Sequence, residues 1–313
     1  MPNAKIPLRL IYFLLFLVVV SLGLFLQSPK YLSHVLSSWD EKGDNTITIV
    51  LGGDVMLGRS VNTRLTRSRD YDWPFYYIGD YFRSADLTYV NLESPLTTSC
   101  ELTDTGMRLC GHQSNVASLL AAGVDIASLA NNHALDYGTA GLRETQQILA
   151  FNNIQASGVG EVVIKDVKGF RVALVSFNDV NNLNGVDSAT DTILKQRLME
   201  ASSLSDFVIA TFHWGREYES SPTSRQISLA HQVVSLGADL VVGAHPHWIQ
   251  TKELFLGVPI YYSLGNTIFD QEWSEATKTG LVLKVYIQDS VISKIDELVL
   301  YSSNYGQPRW LNQ

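Results

Sequence analysis

From Thr46 onwards the chain repeats one pattern: a short apolar run, a polar cluster, then a stretch with helical spacing. The apolar runs cover residues 46–51, 87–90, 125–130, 170–177, 207–212, 238–243 and 259–264. Most are β-branched and lack polar alternation, which predicts strands buried on both faces, as in a parallel sheet covered by helices. Between them, Ser114 is placed to cap a helix over 115–122 that Gly123 ends. Helical spacing also covers 139–152, 190–203 and 224–236, the last stopped by Gly237. Residues 280–288 and 291–300 read as an antiparallel pair turning at Asp289-Ser290. Strands and helices alternating in one long unit predict an α/β sandwich rather than separate modules. No internal repeat or low-complexity segment interrupts it.

The chain ahead of this pattern differs in kind. Residues 10–26 are apolar apart from Ser21 and Gly23, and Lys5 and Arg9 precede them. As a helix the run rises about 26 Å, close to the roughly 30 Å of a bilayer's hydrocarbon core. A signal-peptide core is commonly about 7–15 residues and ends at a small-x-small site. This run continues instead into Gln27-Ser28-Pro29-Lys30. An uncleaved transmembrane helix is therefore the expectation, with a cleaved signal as the alternative. The preceding positive charges place the N-terminus in the cytoplasm and the remaining chain outside, as a single-pass protein of the cell membrane. The expected organisation is an anchor over 1–28, a tether over 29–45, a folded domain over 46–300 and a tail over 301–313.

Composition narrows the classes. The 313 residues are 46% hydrophobic and 17% charged, which allows a sizeable core and excludes a disordered chain or a collagen. A formal net charge of −8 argues against a nucleic-acid partner, which would leave a basic footprint. Two cysteines, Cys100 and Cys110, flank a polar stretch and lie ten positions apart. In an oxidising compartment they are expected to close a disulfide; two free thiols are the alternative. A zinc knuckle would want closer spacing and two further ligands.

The chemistry gathers where strands end. Gly52-Gly53-Asp54 follows the first run, Asn91-Leu92-Glu93 the second, and Asn131-Asn132-His133 the third, with Asp136 three residues on. Later runs lead into His213-Trp214-Gly215, His245-Pro246-His247 and Gly265-Asn266. In open α/β sheets ligands bind beyond the carboxyl ends of the strands, so these clusters can meet in one crevice. Four of the seven histidines occupy such positions. A residue before proline favours extended backbone, which would put His245 and His247 on one face, able to grip one ion or two adjacent ions.

Each residue also has a plainer reading. Asp54 could start a turn or cap a helix. Glu93, behind an apolar strand, could form an ion pair with an arginine. Asn132 and His133 could cap loop amides. The glycines around Asp54 suit close approach of backbone to a bound group. His231 lies in a helical pattern and reads as structural; His34 and His112 receive no role. There is no Gly-x-Ser-x-Gly elbow, Walker loop or dinucleotide fingerprint.

Together the motifs resemble the CapA family of capsule-biosynthesis proteins, linked to poly-γ-glutamate, within the calcineurin-like metallophosphoesterase superfamily. They are Gly-Gly-Asp54-Val-Met-Leu-Gly-Arg59, Asn91-Leu-Glu93, Leu129-Ala-Asn-Asn-His133, His213-Trp-Gly-Arg-Glu217, Gly243-Ala-His-Pro-His247 and Tyr262-Ser-Leu-Gly-Asn-Thr-Ile-Phe-Asp270. The resemblance spans about residues 46–300 and implies a four-layer αββα sandwich holding one or two divalent ions. Carried over by position, Glu93 would bridge both ions; Asn132, His213 and His245 would complete one site, and Asp54 and His247 the other. His133 would face substrate as a proton donor or charge stabiliser, oriented by Asp136. Arg59, Asn131, Glu217 and Asn266 are candidates for substrate contact. One departure is Met56, where the superfamily carries a histidine; a thioether is a poor ligand for hard ions, so that site could be weak or completed by water.

The mixed ligands implied would suit Mn, Fe or Zn. Such ions acidify water and polarise the oxygen under attack, chemistry that serves phosphoesters and in principle a γ-glutamyl amide. The implied partners are an anionic polymer such as poly-γ-glutamate, the membrane, and other capsule-synthesis subunits. Arg59, Arg64, Arg67 and Arg69 could line the crevice mouth for a polyanion, or lie on a solvated helix face. Two other functions fit the same residues: a phosphoesterase unrelated to capsule, and a polymer-binding subunit without catalysis.

Overall fold

A computed structural model describes residues 45–311 of the chain. The expected anchor over 1–28 and nearly all of the tether lie outside those residues. Among the described residues no helix is long and apolar enough to cross a membrane.

Two sheets carry the domain. The first runs Gln307–Trp310, Val291–Ser303, Thr279–Gln288, Ile47–Val55, Leu87–Leu92, Ile126–Ser128, Gln155–Ser157, and Asn266–Ile268 adds to it beside Ile47–Val55. The second runs Lys252–Phe255, Val258–Tyr261, Leu240–Ala244, Phe207–His213, Phe170–Asn178, Val163–Val167. The central strands of both are parallel, so several carboxyl ends point the same way within each sheet.

Side-chain alternation sorts residues into layers. Ile47, Ile49 and Leu51 enter a core shared with Leu174, Ile209 and Val242, which joins the two sheets face to face. Val50, one step out of phase, and Val55, beyond the register shift between Leu51 and Asp54, pack with Val61, Leu65, Leu119 and Leu142 from helices on the outer side. On the far side Ala173, Val175 and Phe177 pack with Leu194, Leu198, Leu229 and Val233. The order is helices, sheet, sheet, helices. Each large aliphatic chain buried here contributes about 1.5–3 kcal/mol, so the stacked cores hold the strand ends rigidly.

Local chemistry sets the element limits. The helix Asp191–Leu204 starts behind Thr190, whose hydroxyl accepts from the Ile193 amide, and Ser224–Ser235 starts with a capping box between Thr223 and Gln226. Ser114 does not cap as expected: His112 accepts from the Ser114 amide and opens a 3-10 turn ahead of Val116–Ala121. The turn at Asp289-Ser290 has φ of 50° and 65°, the left-handed pair that suits a tight hairpin. The domain also extends past Leu300. Gln307–Trp310, placed in the expected tail, pairs antiparallel with Val291–Ser303 as an edge strand, where Pro308 is tolerated.

The glycines before Asp54 serve the protein's own backbone, contrary to their sequence reading. A Cβ at Gly53 would stand 2.1 Å from the Gly265 carbonyl oxygen. Without side chains the strand Ile47–Val55 continues through Gly52-Gly53, and the Asp54 amide donates to Gly265 O at 3.0 Å.

Candidate metal centre

The candidate ligands leave the carboxyl ends of strands from both sheets. Asp54 is next to last in Ile47–Val55, and Glu93 directly follows Leu87–Leu92. His213 ends Phe207–His213, His245 follows Leu240–Ala244, and Asn132 and His133 lie just past Ile126–Ser128. Asp54, Glu93, His213, His245 and His247 are all buried.

They form two groups that share one residue. Donor atoms of Glu93, His213 and His245 lie within 4.8 Å of one another, and so do those of Asp54, Glu93 and His247. In the first group His213 Nε2 is 3.1 Å from His245 Nδ1, 3.9 Å from Glu93 Oε1 and 2.7 Å from Asn132 Oδ1. In the second, His247 Nδ1 is 3.4 Å from Asp54 Oδ2 and Nε2 is 3.8 Å from Glu93 Oε1. Asn266 Oδ1 lies 2.9 Å from His247 Nδ1, and by accepting that proton it leaves Nε2 free to ligate.

The His245-Pro246-His247 segment is not extended as its sequence suggests. φ is 94° at His245 and 57° at His247, both in the left-handed region. The chain therefore turns, and the two rings, 6.1 Å apart between centroids, enter different groups. Such backbone costs on the order of 1–3 kcal/mol per residue. The His245 amide offsets part of it by donating to Asp54 Oδ2 at 3.1 Å.

Glu93 tests whether a cation belongs here. It is fully buried, and neither carboxylate oxygen has a hydrogen-bond partner among the described residues. The arginine that could have paired with it, Arg59, binds Asp270 instead. Burial, and then the charge of Asp54, push Glu93 well above the usual carboxylate pKa. A desolvated, donorless carboxylate is costly, and a divalent ion among the imidazoles supplies the missing charge. The residues fit a divalent metal.

The imidazoles shift the other way. Burial, and then the charge of His245, holds His213 well below its ordinary value; burial and His247 bring His245 down to about 4. Both are neutral, the ligating form, at neutral pH. An acid-side loss of stability follows. In the unfolded chain His245 takes its proton near 6.5, in the fold only near 4, so the unfolded state holds more protons in between. Stability should fall by up to about 3 kcal/mol as pH drops through that window. Glu93 titrates in the opposite sense, so urea unfolding of metal-free Glu93→Gln between pH 7 and 4 is the clean measurement. A midpoint independent of pH would contradict the assignment.

His133 lies at the edge of the groups. Its Nδ1 is 2.8 Å from Asp136 Oδ2, and its Nε2 is 3.9 Å from Glu93 Oε1. With Nδ1–H donating to the carboxylate, Nε2 is the atom turned to the centre. Asp136 is itself held: the Leu109 amide donates to Oδ2 at 2.6 Å, and Arg108 Nε donates to the carbonyl at 2.7 Å. Both donors sit in a loop closed by a Cys100–Cys110 disulfide, with Cα atoms 5.7 Å apart. The double change Cys100→Ser, Cys110→Ser should lower stability by up to about 3 kcal/mol. An unmoved urea midpoint would show that the bridge adds nothing.

Residues 48–271, more than half of the chain, match the family described as "Bacterial capsule synthesis protein PGA_cap". The chain belongs to this capsule synthesis family. It is 32% identical over 257 residues to "PGA biosynthesis protein CapA" of Bacillus subtilis (strain 168), covering 76% of this chain and 67% of that one. It is 28% identical over 315 residues to "Capsule biosynthesis protein CapA" of Bacillus anthracis, covering 93% and 75%. A solved structure of a hypothetical protein from Thermus thermophilus matches with a TM-score of 0.57 at 17% identity, covering 82% of this chain and 100% of that one. That likeness shows a shared fold alone.

Within this family member the remaining sequence candidates divide. Asn266 is buried and orients His247. Asn131 turns inward, donating to Leu92 O and Asn91 Oδ1 and accepting from the His133 amide, so its amide group is spent on the protein. Arg59 is occupied by Asp270 and Gly106 O. Glu217 is half-buried, pairs with no cation among the described residues, and lies close enough for its charge to raise Glu93 and His245. Met56 packs in an apolar cluster with Leu109 and Phe269, its sulfur accepting from the Gly58 amide at 2.9 Å. His231 stacks on Phe255 and pairs with Glu253, away from these groups. Asn91 is a residue the sequence reading missed. Its Nδ2 donates to Asp54 Oδ1 at 2.7 Å and lies 3.2 Å from His213 Nδ1, tying the groups together. Its place in Asn91-Leu92-Glu93, two residues before a ligand on the same strand face, is the signal that could have found it.

Proposed function

We propose that this chain is a metal-dependent hydrolase of metallophosphoesterase type that works on poly-γ-glutamate, or a related anionic polymer, during capsule synthesis. The observation that carries the reading is Glu93, a donorless buried carboxylate shared by two groups of histidine and aspartate. The layered fold and the names of the relatives support it. One or two ions held by Asp54, Glu93, Asn132, His213, His245 and His247 would acidify water and polarise the bond under attack; Mn, Fe or Zn suits the donors.

The protein's own groups have separate tasks. His133 Nε2 gives or takes a proton at the leaving or attacking oxygen or nitrogen. Asp136 fixes its tautomer, and Asn91 and Asn266 hold ligands in place. In the same reading, residues 10–26 anchor the chain with its N-terminus inside and the domain outside. Lys5, Arg9 and the disulfide all agree with that placement.

The residues from Thr46 onwards form one compact unit, which makes a soluble fragment practical. Elemental analysis of that fragment should find a divalent metal, and added manganese should support shortening of γ-glutamyl polymer. Turnover of a model phosphodiester alone would move the substrate to phosphoesters. Polymer binding without cleavage would make the protein a binding subunit. A fragment that never holds metal would end the reading.

A further inference from the structure

We infer that Arg108 recognises an anionic group of the substrate, a carboxylate or phosphate oxygen, beside His133. The inference rests on the centre being the polymer site proposed above. Arg108 belongs to an exposed stretch of the disulfide-closed loop, yet its guanidinium is fixed. Nε donates to Asp136 O at 2.7 Å, and the group lies over the Tyr137 ring, 4.1 Å from its centroid. The next residue, Leu109, is buried and donates to Asp136 Oδ2 at 2.6 Å; Cys110 then closes the loop to Cys100. The terminal nitrogens of Arg108 make no hydrogen bond or ion pair among the described residues.

A lone surface arginine would lose rotamer freedom on binding an anion. This one has already lost it, so its planar fork is presented at little further cost. Asp136 bonds both Arg108 and His133, which sets the fork one residue from the imidazole. Of the four arginines that could meet a polyanion, Arg59 pairs with Asp270 and Arg64 lies over Trp73 at 4.5 Å, while the side chains of Arg67 and Arg69 are exposed and have no partner among the described residues to fix them. On a polymer whose charges recur at fixed spacing, one anion seated on Arg108 determines which linkage lies beneath the centre. Arg108 is thus a specificity-determining contact, and the disulfide holds it in register.

The test uses the manganese-loaded full-length chain and three probes: an oligo-γ-glutamate, its methyl-esterified form, and a glycerol-phosphate oligomer. Calorimetry should show Arg108→Ala binding one acidic oligomer at least about tenfold more weakly than the wild type, the loss of a charge-assisted pair. Arg108→Lys should fall between them, because it keeps the charge without the fork. The esterified form should bind weakly and equally to all three proteins. The oligomer that loses affinity names the carboxylate or the phosphate as the group recognised. Metal content should match in every case, and the double cysteine-to-serine variant should also bind more weakly. Equal affinity of wild type and Arg108→Ala for both acidic oligomers, or no wild-type affinity for either, overturns the inference. Arg108-dependent binding without cleavage keeps it and removes the hydrolytic reading; cleavage with binding indifferent to Arg108 does the reverse.

Discussion

Glu93→Gln should strip the domain of bound metal and also make the metal-free domain more stable at neutral pH than metal-free wild type. Both groups of ligands contain Glu93, so both lose their shared charge. The amide keeps the volume, which excludes a cavity as the cause. The stability gain follows from the direction of the Glu93 shift. Its folded pKa lies above its unfolded value, so the folded state holds the extra proton and is stabilised at low pH. That stability is lost as pH rises through the folded pKa, where a donorless charge must be buried. Glutamine removes the titration. The gain should be about 1–3 kcal/mol, the scale of an unsatisfied buried polar group. Elemental analysis and melting with and without chelator measure both halves. Wild type should gain melting temperature on adding manganese, and the variant should not. A variant holding wild-type metal, or melting lower than wild type under chelator, would contradict the shared-ligand role.

His133→Ala should leave metal content intact and lower turnover by about 10²–10⁴-fold, the usual contribution of a positioned general acid or base. His133 Nε2 faces Glu93 at 3.9 Å, but His133 is in neither three-residue ligand group. Asp136→Asn, which weakens the hold on the His133 ring and on the Leu109 amide, should cost about 10–100-fold. Single-turnover assays on metal-saturated protein separate chemistry from binding. Parallel loss of metal and rate in His133→Ala would make the histidine a ligand instead.

The frame of the fold was legible because its strands are continuous apolar runs, and those runs survive any change of loop. The chemistry was legible because each strand end carried a ligating residue type. Other features depend on contacts that no local pattern records. Arg59 finds Asp270 across 211 positions, which takes it out of the set of free cations. His245 sits in a backbone conformation that the proline after it argues against, and His247 is left-handed as well. Gln307–Trp310 contains Pro308 and Arg309, so its apolar pattern is broken; only an open sheet edge makes it a strand.

The strand carrying Asp54 is clasped on one side by Thr279–Gln288 and Asn266–Ile268, which come from the far end of the domain. During synthesis the first ligand thus emerges long before the segments that seat it, and pairings so distant in sequence form slowly. If the centre holds an ion as proposed, its capture would be a closing event, following the late pairing of the strand that seats Asp54. On that reading the ion would be drawn from the surroundings in which the last hairpin settles.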